Sequence, residues 1–160
     1  MTTPIWTPSA ERIAATRLNA FMDYLAGHAG VRFDDYPSLW EWSRRNDDTL
    51  ATFWQAVWDF CGVQAERVGE TVLENNGTMA QSRFFPDASL NFAENLLRQT
   101  GGGDAIVFRG EDGVTRRLNH DELHAEVSRL SQLLRDEGVE PGDRVAAYLP
   151  NLPETMIAML

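Results

Sequence analysis

The apolar pattern of this chain changes period once, and the change falls at a run of three glycines. Before residue 97 the large apolar side chains recur every three or four positions. After Gly101-Gly102-Gly103 they alternate or run continuously, until a further helical stretch begins near residue 120. Helices followed by extended segments and more helix place the chain in the α/β class.

The helical part reads as follows. Ser9 is placed to N-cap a helix in which Ala14, Leu18, Phe21, Met22 and Leu25 share a face, with Gly27 and Gly30 marking its end. A short helix is predicted at residues 38–43. Another starts near Asp47 or Asp48, carries the stripe Leu50, Phe53, Trp54, Val57 and Phe60, and closes at Gly62. Four of the five tryptophans lie in these two helices. Rings at helical spacing read as core rather than as the wall of a ligand pocket, because they bury much area on short helices. Asn75-Asn76-Gly77 predicts a turn, which also accounts for the formal glycosylation sequon at Asn76. Residues 87–97 predict one more amphipathic helix.

Beyond the glycines, segments 104–109 and 114–119 flank Gly110-Glu-Asp-Gly113 and read as a hairpin. Asn119 or His120 then caps a helix with the stripe Leu123, Val127, Leu130 and Leu134, supported by Leu133, and Gly138 ends it. Residues 143–149 are mostly apolar and predict a strand of a buried sheet. Pro153 opens a final helix. That helix reaches Leu160 on an apolar run without a cap, which leads us to expect a longer native chain.

Charge and composition exclude several functions. The chain has 24 acidic and 14 basic residues in 160, a net charge of −10. It therefore repels phosphate backbones, and no nucleic acid partner is expected. No apolar run reaches the ~20 residues of a membrane helix, so no membrane partner is expected. The opening residues show no secretory signal, and the single cysteine, Cys61, cannot form an internal disulfide. A cytoplasmic setting is the expectation. All 14 basic residues are arginine. Without lysine, no P-loop, Schiff-base site or kinase-type site can be complete within these residues.

Candidate sites fail one by one. His120-Asp-Glu-Leu-His124 superficially resembles a zinc-protease signature, but Asp121 stands where the general-base glutamate belongs, and Leu123 breaks the inverted order. Asp121, Glu122 and Glu126 suit the positive end of the helix dipole. Arg116-Arg117 and Arg44-Arg45 could grip a phosphate or carboxylate, but solvation at a strand edge and a helix end is the favoured reading. Cys61 reads as a buried structural thiol. The glycine triplet lacks the Lys-Ser/Thr and the helix of a phosphate loop and reads as a flexible connector. No catalytic, cofactor-binding or metal residue is assigned.

The segment Gly138-Val-Glu-Pro-Gly-Asp-Arg-Val-Ala-Ala-Tyr-Leu-Pro-Asn-Leu-Pro-Glu-Thr-Met-Ile-Ala-Met-Leu160, with the hairpin and the helix entered through Leu118-Asn-His-Asp-Glu-Leu123, resembles the opening of the adenylate-forming acyl-CoA synthetase domain. Ser38-Leu-Trp-Glu-Trp-Ser43, Phe53-Trp-Gln-Ala-Val-Trp-Asp-Phe-Cys-Gly62 and Phe85-Pro-Asp-Ala-Ser-Leu-Asn-Phe-Ala-Glu-Asn-Leu-Leu97 resemble the acetoacetyl-CoA synthetase family more than its acetyl-CoA relatives. Phe84 departs from the pattern, where a tryptophan is expected, but keeps the aromatic bulk. The resemblance runs from about Trp6 to Leu160 and covers the first quarter or so of such an enzyme. It implies a helical N-terminal region at 1–86 and the start of the AMP-binding domain at 87–160. It also implies an AMP-forming ligase, which joins acetoacetate or a similar short acid to ATP as an acyl-adenylate with Mg2+ assisting, then transfers the acyl group to CoA. The family's phosphate loop, nucleotide motifs and catalytic lysine lie beyond these residues, so the chain alone is expected to be inactive. As a fragment it is expected to self-associate through the exposed Met156–Leu160 face and an open sheet edge. The alternative is a stand-alone, non-catalytic binding module that pairs with a ligase or another partner through that edge.

Overall fold

The computed structural model describes residues 5–160; Met1–Pro4, part of the opening read for a secretory signal, lie outside them. The chain divides into two compact units, one ending at Leu90 and the other starting at Asn91.

The first unit contains helices α1 (Ala10–Ala14), α2 (Arg17–His28), α3 (Tyr36–Ser43) and α4 (Asp47–Cys61), then strands β1 (Leu73–Glu74) and β2 (Arg83–Phe84). The single helix expected after Ser9 is in fact two. Ser9 caps α1, but Thr16 is extended, accepts the Asn19 N–H at 3.2 Å and donates its hydroxyl to the Ile13 carbonyl at 2.8 Å. One side chain thus ends the first helix and starts the second, a competition with the helical backbone in which threonine excels. Gly27 lies inside α2, and Gly30, in the left-handed region at φ 68°, follows its end.

Helix α4 begins at Asp47 as expected, whereas α3 begins at Tyr36, two residues before the expected start at 38. Each opens on a reciprocal capping box, Asp35 with Ser38 and Asn46 with Thr49, and the Asp35 cap sets the earlier start. Their apolar faces meet α2 around Phe21, Leu25, Leu39, Trp42 and Ala56. Phe21 sits edge-on to Phe53 with centroids 5.7 Å apart, and 5.3 Å from the ring of Phe60. The other side of α4 takes the β1–β2 ribbon, with Phe84 against Trp54 and Phe85 against Trp58. Trp42 and Trp58 are buried and Trp54 is half-buried, whereas Trp40 stays exposed. Cys61, expected to be buried, is exposed; the last turns of α4 bury Trp58 and half-bury Phe60 instead.

The connection after α4 is tied by an isolated pairing of Arg67 with Ser89. That pairing corrects the helix expected over 87–97. Ser89 spends its N–H on the Arg67 carbonyl and its C=O on Glu66, so the helix starts only at α5 (Phe92–Leu97), capped by Asn91. Close backbone approach at this crossing requires glycine at position 69. Its φ is 81°, and a Cβ would fall 2.5 Å from the Asp87 Cβ. Gly69→Ala should therefore lower the stability of the first unit by about 1–3 kcal/mol, measured by urea unfolding; an unchanged midpoint would contradict this contact.

The second unit carries α5, the antiparallel hairpin β3 (Asp104–Arg109) and β4 (Thr115–Asn119), α6 (His120–Asp136) and α7 (Pro153–Met159). Helix α6 buries Leu123 and Val127, and Gly138 at φ 84° follows its end. Leu133 is exposed, one step around the helix from the stripe that Leu130 and Leu134 continue. The strand expected at 143–149 is not formed. A strand holds only where its N–H and C=O groups meet a ladder, and among the described residues none pairs with this segment. Val145, Tyr148 and Leu149 are exposed. The architecture is nonetheless α/β: helices with two small antiparallel sheets.

Candidate functional site

The polar groups singled out by sequence are engaged locally. Asn119 donates its N–H to Glu122 Oε2 at 2.9 Å, while Glu122 donates its N–H to Asn119 Oδ1 at 2.8 Å. Glu122 is thus the return arm of a capping box, a role that the Asn-x-x-Glu spacing encodes. Asp121 accepts the Gly101 N–H at 2.8 Å, and the Gly103 carbonyl accepts the His120 N–H at 3.1 Å. The glycine triplet is therefore held against the start of α6. A carboxylate already occupies the amide that a phosphate cradle would present, so residues 101–103 do not fit a nucleotide phosphate. Among the described residues no three His, Cys, Asp or Glu side chains gather as a metal group would require.

The arginine pairs part company. Arg117 pairs with Asp104 across the hairpin, and Arg116 reaches Glu154 on α7 at 2.6 Å. The Arg116 hydrogen bond, helped by Glu154's own backbone amide, holds the Glu154 carboxyl below the usual carboxylate range. At the start of α3, the Ser38 N–H and then its hydroxyl do the same for Asp35. Arg44 instead lies over the ring of Trp40, 4.2 Å from its centroid.

The concave surfaces are mostly apolar. In the first unit, a cleft of about 460 Å³ between α2 and α4 has Leu25 and Ala56 in its floor and His28 and Asp59 in its wall. His28 is stacked on Tyr24 and its Nδ1 lies 2.9 Å from the Tyr24 carbonyl, while Asp59 accepts from Gln55 at 3.0 Å. A second cleft, of about 370 Å³, is enclosed by Trp54, Trp58, Phe84, Phe85 and Leu90. Phe84, standing where a tryptophan was expected, lines it. In the second unit, a more polar hollow of about 700 Å³ lies between the hairpin tip and residues 150–152, with Arg109, Asp112 and Arg116 on its walls. These surfaces can bind. Among their polar groups, His28, Asp59, Asp112 and Arg116 are held in local hydrogen bonds or ion pairs.

Residues 93–160, which hold the hairpin, α6 and α7, match the family of AMP-binding enzymes. Most of the second unit is thus similar to AMP-binding enzymes. Over nearly its whole length the chain is similar to a portion of acetoacetyl-CoA synthetases. It is 48% identical over 157 residues to acetoacetyl-coenzyme A synthetase of Rhizobium meliloti (strain 1021), covering 98% of this chain and 24% of the relative. The solved structure of acetoacetyl-CoA synthetase from Streptomyces lividans superposes with a TM-score of 0.85 at 36% identity, covering 99% of this chain and 24% of that one. An acetyl-coenzyme A synthetase of Alkalilimnicola ehrlichii is 31% identical over 156 residues, covering 23% of its length. The chain thus spans about a quarter of the length of the relatives it matches.

Two features escaped the sequence reading. The exposure of Cys61 has no signal in composition, and Arg17, which lies over the ring of Phe60 at 4.8 Å, was not singled out. Helical spacing marks Arg17, four positions before Phe21, whereas Cys61, four positions after Val57, sits where spacing predicts burial.

Proposed function

We propose that this chain is the N-terminal part of an AMP-forming acid–CoA ligase that converts acetoacetate, ATP and CoA to acetoacetyl-CoA, AMP and diphosphate. The observation that carries the reading is end-to-end similarity, 48% over 98% of the chain, to an acetoacetyl-coenzyme A synthetase. The acetyl-CoA relative stands lower, at 31%. Residues 1–86 supply a helical N-terminal region and residues 87–160 start the AMP-binding domain. ATP, Mg2+ and CoA are handled by parts of the ligase outside these residues, consistent with the absence of lysine and the engaged glycine triplet. In that ligase, adenylation makes AMP the leaving group of the acid, and the CoA thiol displaces it. The setting is cytoplasmic; among the described residues no helix is long and apolar enough to cross a membrane.

The purified 160-residue chain should release no pyrophosphate from ATP in the presence of acetoacetate, CoA and Mg2+. Acetoacetate-dependent release above a protein-free control would overturn the assignment of catalysis to other residues. A second reading, a non-catalytic module that pairs with a partner through an open edge, is favoured by the unpaired, exposed segment 143–149.

A further inference from the structure

A third apolar pocket of the first unit, about 400 Å³ between α2, α3 and α4, differs from the others in its charge. Its walls include Phe21, Leu39, Trp40, Val57 and Phe60, and its lining contains Arg17 and Cys61 but no carboxylate among the described residues. Arg17 lies 4.8 Å over the Phe60 ring, and Arg44 lies 4.2 Å over Trp40. Among the described residues neither guanidinium is ion-paired, although the chain has 24 carboxylates and a net charge of −10. Stacking on a ring fixes a guanidinium while leaving its N–H edge free for an anion.

We propose that this pocket binds a small organic anion with a flat apolar body. The body fills the space between Phe21, Leu39, Trp40 and Phe60, and its carboxylate, sulfonate or phosphate meets the guanidiniums of Arg17 and Arg44. The charge complementarity is local: the unpaired Arg17 lines an apolar hollow in an otherwise acidic chain, and the unpaired Arg44 is held on the ring of Trp40 in its wall. Pockets of this kind orient ligands with few polar groups. No bond forms or breaks; the site is one of binding.

The probe is 1-anilinonaphthalene-8-sulfonate, which is aromatic and anionic, with uncharged N-phenyl-1-naphthylamine as its neutral counterpart. We expect one saturable site, with energy transfer from tryptophan. The double variant Arg17→Gln, Arg44→Gln should weaken the sulfonate probe about tenfold, the loss that charge-assisted contacts imply, and leave the neutral probe unchanged. Because Cys61 lines the pocket and is the only cysteine, its adduct with N-phenylmaleimide should block both probes. Both arginines are exposed, and circular dichroism checks that the double variant folds; the cysteine block tests the location independently. Equal sulfonate affinity in wild type and double variant, equal losses for both probes, no binding, or binding indifferent to the Cys61 adduct would overturn the proposal.

Discussion

Leu25→Ala should destabilise the first unit by about 2–5 kcal/mol, the range for a fully buried leucine truncated in a packed core. Leu25 has no exposed surface and lies among Phe21, Leu39, Trp42 and Ala56 where three helices meet. The loss combines the transfer of buried methylenes with the cavity left behind, since α2, α3 and α4 cannot all close on one site. With a urea dependence of about 1–3 kcal/mol per molar, the midpoint should fall by at least about 0.7 M. All five tryptophans lie within the first unit, so their fluorescence follows that unit alone. Ile13→Ala, on the exposed part of α1, should stay within about 0.5 kcal/mol. Equal effects at the two positions would contradict the placement of the core.

Local signals carried far. The caps at Ser9 and Asn119, the glycines after α4 and α6, the hairpin around residues 110–113 and the start at Pro153 all rest on local backbone chemistry, so they can be read from neighbouring letters. The cap at Asp35, which starts α3 two residues early, is equally local and was missed. Errors arose where two local signals competed or a partner was distant. Thr16 carries the same capping chemistry as Ser9, but it falls inside an apolar stripe that by itself reads as continuous helix. Ser89 looks helical until Arg67, 22 residues earlier, takes its amide. Residues 143–149 have the composition of a buried strand, yet composition cannot supply the neighbour that a ladder requires. The same limit governs the site. The family is legible because it rests on the order of turns, caps and prolines. Which arginines are paired was not, because Arg116 meets Glu154 38 positions away while Arg17 and Arg44 are held by rings.

The central proposal is that these residues do structural work for an acetoacetate-activating ligase. Exchanging the aligned N-terminal quarter of the Rhizobium meliloti relative for this chain tests it most directly. Packing should tolerate the exchange, because 48% of the aligned residues are identical and cores accept volume-conserving changes. An interface mismatch of one or two kcal/mol corresponds to a loss of about tenfold. Deleting the quarter should instead abolish activity, since it removes the helical unit and leaves the rest of the AMP-binding domain without the hairpin, α6 and the segment 143–149. The measurement is pyrophosphate release by the purified chimera with ATP, CoA and Mg2+, with and without acetoacetate. Acetoacetate-dependent turnover within about tenfold of the parent, absent from the deletion, is the predicted result. A soluble, folded chimera with no such turnover, or a deletion as active as the parent, would contradict the account.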